Sequence, residues 1–365
     1  MLTFRCSADP DLISKDILLM AFLNDVASIF SSPKSLITTI DSHTEGEATR
    51  LIVDGVGAVP GDTMSDKLDY FKAHYDYVRC LTTKEPRGSR SILAAMVTEG
   101  VTPGAAFGLI YMDAKRYPYL CGHATIGAVV TLARTGFLEL VEGENQVLVD
   151  TPSGVMDARA QVVNGEVISV AINMVPAFVH DTDREIEVPG YGRIVVDLVC
   201  TGGYFAMVDS DLLGISPVMD NRKQLVDLGM KIIDAANEQL TVVHPLRPEV
   251  NTIDVTEFHT STHDGDGHWG RGVVVYGESH MDRSPCGTGT AAKLALLCHR
   301  GKLGMHQAYR NLSPLGTAFD ADVVDQTDIG GKTAYVARIK GRAWITGLHY
   351  FSLDPTDPFT QGYIV

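Results

Sequence analysis
Aligned with itself at an offset of 165 residues, the chain repeats a unit without a gap. Tyr111 falls on Tyr276, Cys121 on Cys286, Gly122 on Gly287, Thr125 on Thr290, Leu132 on Leu297, Gly136 on Gly301 and Leu138 on Leu303. Each copy reads as an apolar strand, a polar loop, Cys-Gly, an apolar helix and a glycine placed as a C-terminal cap. The identities sit at the punctuation of the unit, where chance matching of two apolar helices would not put them. The helical stretches "HATIGAVVTLAR" and "TGTAAKLALLCHR" are apolar nearly all round, so each must be enclosed by other elements. A chain of 365 residues has room for two such cores.

From Ser35 onward, short β-rich runs such as "SLITTID", "GLIYMD", "QVLVDT", "GRIVVDLV" and "GVVVYG" alternate with Gly, Pro and Asp turns. Two further segments, 67–81 and 221–240, have the period of amphipathic helices with charge on one face. Residues 1–34 read as an extension carrying a short amphipathic helix at 17–30; Asp25 interrupts that apolar run, which argues against a signal peptide.

The formal net charge of −15 has no basic stripe within it, so a nucleic-acid surface is not expected. No apolar run has the length of a bilayer-spanning helix, so no membrane insertion is expected. Six widely spaced cysteines are no disulfide framework in a chain this long, which suggests reduced thiols in the cytoplasm. Paired C-x-x-C spacing is absent, and no metal is expected. His259, His263 and His268 in "HTSTHDGDGHW" read as part of a flexible surface insertion, and Cys80, Cys200 and Cys298 as buried small hydrophobes.

Cys121 and Cys286 are different because each is expected at a helix N-terminus. There, unpaired N–H groups and the positive end of the helix dipole bind anions and favour thiolate over thiol. Two copies facing each other place two thiols across one cleft. A carbon acid held between them can lose its proton to one thiolate and gain a proton from the other thiol on the opposite face, inverting the stereocentre. Backbone N–H groups of Gly122, His123, Gly287 and Thr288 can stabilise the substrate carboxylate meanwhile, and glycine after each cysteine allows close approach. This scheme requires no pyridoxal phosphate, and no cofactor motif is present.

Gly287, Gly289 and Ala292 fit a G-x-G-x-x-A dinucleotide loop, but the loop does not follow directly from a strand and the next acidic residue past the helix, Asp320, is too distant. A thiol redox enzyme and a non-catalytic amino-acid binding protein are the competing classes. The former lacks C-x-x-C spacing; the latter would leave both thiols dispensable.

The motifs "IDSHTEGEATRL" (40–51), "EPRG" (85–88), "YLCGHATIGA" (119–128), "DTPSG" (150–154), "DRSPCGTGTAAKLA" (282–295) and "DPTDPF" (354–359) resemble the proline racemase family, in order, from about Ser35 to the C-terminus. The resemblance implies a cofactor-independent isomerase with a diaminopimelate-epimerase-like α/β (α+β) fold. That fold has two pseudo-symmetric halves, each a mostly antiparallel sheet wrapped round a central buried helix. On this reading residues 35–176 with 340–365 form the first half and 177–339 the second, and the enzyme is a homodimer acting on a small molecule.

It also implies that Cys121 and Cys286 are the acid/base thiols, that the residues just after each, including Ala124, bind the carboxylate, and that His123 and Asp282 contact the ring nitrogen. Glu45 and Glu47 are expected to support the site without doing chemistry. Cys286 stands where the resembling trans-3-hydroxyproline dehydratases carry threonine, which disfavours dehydration. "HTEGEA" and "DPTDPF" look more like the racemases than the 4-hydroxyproline 2-epimerases. Tyr276 occupies an aromatic pocket position but brings a hydroxyl that could bond a hydroxylated ring. Arg116 stands where a glycine is usual.

Overall fold
The computed structural model describes residues 36–365 apart from 265, 266, 278 and 355. The helix expected at 17–30 lies outside them. Four helices of thirteen residues or more are described: α1 (Met64–Thr83), α2 (Gly122–Arg134), α3 (Arg222–Gln239) and α4 (Gly287–His299). The two central helices coincide under the 165-residue offset, and their capping glycines Gly136 and Gly301 both take positive φ, 78° and 66°. That conformation closes a helix at low cost only for glycine.

The strands form two circuits with one pairing order. In the first, Ala343–Ser352 pairs with Leu36–Thr44, then Glu47–Asp54, Leu93–Thr98, Phe107–Met112, Gly143–Thr151, Gly154–Val163 and Glu166–Asn173. In the second, Ala177–Val188 pairs with Gly192–Cys200, then Tyr204–Asp209, Ile253–His259, Gly267–Tyr276, Tyr309–Leu312, Ala318–Ile329 and Lys332–Gly341. In both, the third and fifth pairings are parallel and the rest antiparallel. A parallel pair needs a crossover, and the helices supply it: α1 and α2 in the first circuit, α3 and α4 in the second.

The circuits meet where Ile172 pairs with Ile339 and Met174 N–H donates to Ala337 C=O at 2.7 Å. Residues 338–341 pair with Glu166–Asn173, while Ala334 and Tyr335 pair with Phe178 and Ala177. The long run 332–352 thus closes both rings. Each ring encloses its apolar helix, as the absence of a polar face demanded: α2 is buried from Gly122 to Leu132, and α4 from Gly287 to Leu297 apart from Thr288.

The amphipathic helices cover the outside. Helix α1 starts at a capping box, Thr63 with Asp66, and buries Leu68, Phe71 and Val78; α3 buries Leu225, Leu228 and Ile232. One sequence expectation is corrected. Within 259–269, Thr262–Asp264 pairs with Gly267–Trp269 and His259 is buried at the end of its strand, so these residues belong to the sheet instead of a surface insertion.

Candidate active site
The two helix starts lie side by side. A Cβ built at Gly122 would sit 3.6 Å from Met174 Sδ, and one at Gly287 3.5 Å from the same atom and 2.8 Å from Ile339 Cδ1. Met174 and Ile339 are themselves related by the offset of 165. The glycine after each cysteine therefore serves helix-to-strand packing at the junction of the rings, a close approach that the sequence reading assigned to substrate.

Above this junction opens a cavity of ≈ 700 Å³, lined by Cys121, His123, Tyr276, Asp282, Cys286 and Thr288 together with both glycines. Small-molecule sites span roughly 300–1,000 Å³. The backbone N–H groups of Gly122, His123, Gly287 and Thr288 precede the first intrahelical bonds, those of Thr125 to Cys121 C=O and Thr290 to Cys286 C=O. Two sets of donors with no hydrogen-bond partner among the described residues thus border one cavity, the arrangement that receives a carboxylate. Ala124 does not line it: as the third residue of α2 it turns its side chain inward, where it is fully buried in the core.

The thiols have unlike surroundings. Cys121 Sγ lies 3.3 Å from His123 Nδ1 and 3.8 Å from Nε2. Burial opposes the imidazolium, but the Cys121 sulfur, Asp282 and Glu47 outweigh it and carry the His123 pKa up to about 9. The imidazole expected on the ring nitrogen of a substrate is engaged with the thiol.

Cys286 is buried and strained, with φ 55° and ψ 120°. A non-glycine residue there costs about 1–3 kcal/mol and persists only where neighbours enforce it. Ser284 Oγ accepts from Cys286 N–H at 3.1 Å, and Asn311 Nδ2 donates to Pro285 C=O at 3.0 Å. The sulfur accepts from Gly289 N–H at 3.4 Å and lies 3.4 Å from Thr288 Oγ1. Burial first, then the Asp282 carboxylate, push this thiol well above its ordinary range, against those two hydrogen bonds. The lowering expected of both cysteines at helix starts does not hold for Cys286, because desolvation together with the Asp282 carboxylate exceeds the dipole's benefit.

Asp282 is buried, with Oδ1 accepting from Ser284 N–H and Oγ, both at 2.8 Å, and Oδ2 unbonded among the described residues. Burial and Glu47 raise its pKa, while His123 draws it down. An unbonded carboxylate oxygen at a cavity wall suits an ammonium partner. The Tyr276 ring packs edge-on against His280 at 5.0 Å, and burial with Asp282 and Glu47 holds its phenol protonated.

The "HTEGE" motif ties this wall to the first ring. Glu45 and Gly46 form the two-residue turn between the first two strands, both at positive φ, 47° and 108°. Glu45 accepts from Arg342 N–H at 3.0 Å. Glu47 Oε2 accepts from Arg283 N–H at 2.9 Å and Nε at 3.0 Å, and Oε1 lies 3.2 Å from His280 Nε2. Burial would raise the Glu47 pKa, but His280 and Arg283 lower it to about 2. "EPRG" and "DPTDPF" meet outside the cavity, where Arg87 pairs with Asp357.

The proline racemase family model matches residues 39–364. The chain belongs to the proline racemase family. It is 36% identical over 329 residues to a proline racemase of Clostridioides difficile, covering 90% of this chain and 98% of that one. It is also 36% identical over 332 residues to a 4-hydroxyproline 2-epimerase of Streptosporangium roseum, covering 91% and 99%. A solved hydroxyproline epimerase of Agrobacterium vitis, with trans-4-hydroxy-L-proline bound, aligns with a TM-score of 0.81 at 30% identity, covering 91% of this chain and 96% of that one. A PhzF-family protein of Bacillus anthracis, 13% identical with a TM-score of 0.54, shares the two-ring fold alone.

Thr201 and Gly202, just after Gly192–Cys200, also line the cavity and were not singled out in the sequence, and Arg116, noted there for standing where a glycine is usual, lines it too. They lie on turns, where no periodicity marks them. Among the described residues no helix is long and apolar enough to cross a membrane.

Proposed function
We propose that the protein is a cofactor-independent racemase of proline, with Cys121 and Cys286 as its two acid/base groups. The single observation that carries this reading is the meeting of two duplicated helix starts, each bearing a cysteine, at one cavity. The substrate carboxylate would rest on the N–H groups of Gly122, His123, Gly287 and Thr288, and the ring ammonium on Asp282 Oδ2. In one direction the Cα–H bond breaks as an S–H bond forms at Cys121, whose sulfur lies 3.3 Å from His123 Nδ1. The Cys286 S–H bond breaks as a new Cα–H bond forms on the opposite face. In the other direction the roles exchange. We infer further that the enzyme acts in the cytoplasm as a homodimer, which the family resemblance and the free thiols support.

A second reading, 4-hydroxyproline 2-epimerase, is favoured by the Tyr276 hydroxyl, which lines the cavity and has no hydrogen-bond partner among the described residues. Parallel assays of L-proline, trans-4-hydroxy-L-proline and trans-3-hydroxy-L-proline decide the substrate. The proposal expects inversion at Cα to be fastest with L-proline and no dehydration of the 3-hydroxy compound. Faster turnover of the 4-hydroxy substrate would transfer the assignment to the epimerase.

A further inference from the structure
Behind the Cys286 helix start lies an ion pair with 0% side-chain exposure on both partners: Glu257 of strand Ile253–His259 and Lys293 of α4, with Nζ 3.8 Å from Oε1. The Glu257 carboxylate is wedged between two glycines. A Cβ at Gly272 would lie 2.8 Å from Oε1, and one at Gly289 2.7 Å from Oε2. Gly289 is the residue whose N–H donates to Cys286 Sγ. Neither Glu257 oxygen has a hydrogen-bond partner among the described residues, while Lys293 Nζ donates to Arg271 C=O and Asn311 Oδ1, each at 2.8 Å. Such an arrangement is costly to bury.

The first ring shows that packing does not require it. The strand register sets Ala95 opposite Tyr111 and Val255 opposite Tyr276, which makes Val97 the counterpart of Glu257. By the 165-residue offset, Ala128 is the counterpart of Lys293, Ala124 of Gly289 and Phe107 of Gly272. All four are apolar, and the three in this set other than Val97 are fully buried or nearly so. Conversely His123, beside Cys121, corresponds to Thr288 beside Cys286. The duplicated site has thus gained a cation next to one thiol and a carboxylate behind the other.

We propose that Glu257, balanced by Lys293, is a positioning residue that makes Cys286 the protonated member of the thiol pair. The inference rests on the two-thiol reading above. It gives a physical reason why the free enzyme presents one base and one acid instead of two thiolates repelling each other across the cavity. The charged and titratable groups facing this thiol and carboxylate are Asp282 from the preceding turn, Tyr276 from its own sheet, Tyr309 from strand Tyr309–Leu312, and Lys293 from α4. Glu257 itself is raised to about 7 by burial and Asp282 against Lys293, so removing it removes a negative charge only where it is ionised.

The test is the pH dependence of iodoacetamide alkylation, read separately at Cys121 and Cys286 by peptide mass spectrometry, in the wild type, in Glu257→Gln, and in Glu257→Val with Lys293→Ala, which reproduces the apolar pair of the first ring. The proposal expects alkylation of Cys286 at pH 8 to accelerate about tenfold in either variant, its midpoint moving down by about one unit, with Cys121 unchanged. Superimposable Cys286 profiles in folded variants would overturn it. Should Glu257→Gln alone fail to fold, the double variant decides; failure of both would reduce the pair to a packing element and also overturn it. Alkylation is read without turnover, so absence of racemase activity in the wild type would sink the functional reading and leave this result standing.

Discussion
The two thiols differ because of what stands next to each. His123 lies on Cys121, and carboxylates face Cys286, so serine at either position removes a proton-transfer group that no neighbour replaces. Cys121→Ser and Cys286→Ser are each expected to lower the racemisation rate by about 10²–10⁴-fold with melting temperatures near that of the wild type. Retention of full activity by either variant would contradict the paired-thiol account. Glu47 makes a different prediction. Its folded pKa of about 2 lies below the unfolded carboxylate value, so its contribution to stability is present above roughly pH 4.5 and is lost as pH falls toward 2. The gap in melting temperature between wild type and Glu47→Gln should therefore be widest near neutrality and shrink through that acid window. A gap that stays constant there would show that Glu47 acts by packing alone. The cysteines were legible in the sequence because a duplicated Cys-Gly stands out against any background. Glu257 was not, yet Lys293 inside an otherwise apolar helix is a signal, since a lysine with no polar face around it must have a buried partner.

The junction of α2 and α4 with the linking strands is tight on one side. A Cβ at Gly287 meets Ile339 Cδ1 at 2.8 Å, whereas one at Gly122 meets Ile172 Cδ1 at 3.1 Å, so the second site has less room. Gly287→Ala is expected to cost about 1–3 kcal/mol by overpacking, more than Gly122→Ala, and Ile339→Ala should recover part of that loss in the double variant. Thermal or denaturant unfolding of the four proteins checks this, and equal effects at the two glycines would argue against the asymmetry. Both central helices and both amphipathic ones were readable, α1 at 64–83 against 67–81 expected and α3 at 222–239 against 221–240. The pairing of 262–264 with 267–269 was hidden because Gly and Asp content signals a turn but does not say that strands flank it. Ala124 was expected at the cavity because it follows Cys121 closely in sequence, which does not give the direction of a side chain on a helix.

At the scale of the molecule, two rings with the same order of parallel and antiparallel pairings share the run 332–352 and place their helix starts against Met174 and Ile339. The duplication was visible over the strand, loop and helix around each cysteine. Its extent through the remaining strands was not, because pairing order is fixed by long-range contacts that no local pattern records. A cavity bordered by both helix starts should be closed to reagents by a planar ring carboxylate. Pyrrole-2-carboxylate, which mimics the deprotonated ring, is expected to slow iodoacetate inactivation, with Cys121 labelled before the more deeply buried Cys286; absence of protection would count against a shared cavity. The most direct test of the whole account is the fate of the α-hydrogen of L-proline during turnover in deuterated water, followed by chiral separation and mass analysis at low conversion. Two thiols on opposite faces predict that the D-proline formed carries one solvent deuterium at Cα while the remaining L-proline is still unlabelled. Deuterium entering the L-proline pool as fast as D-proline appears, or no inversion of proline at all, would contradict it.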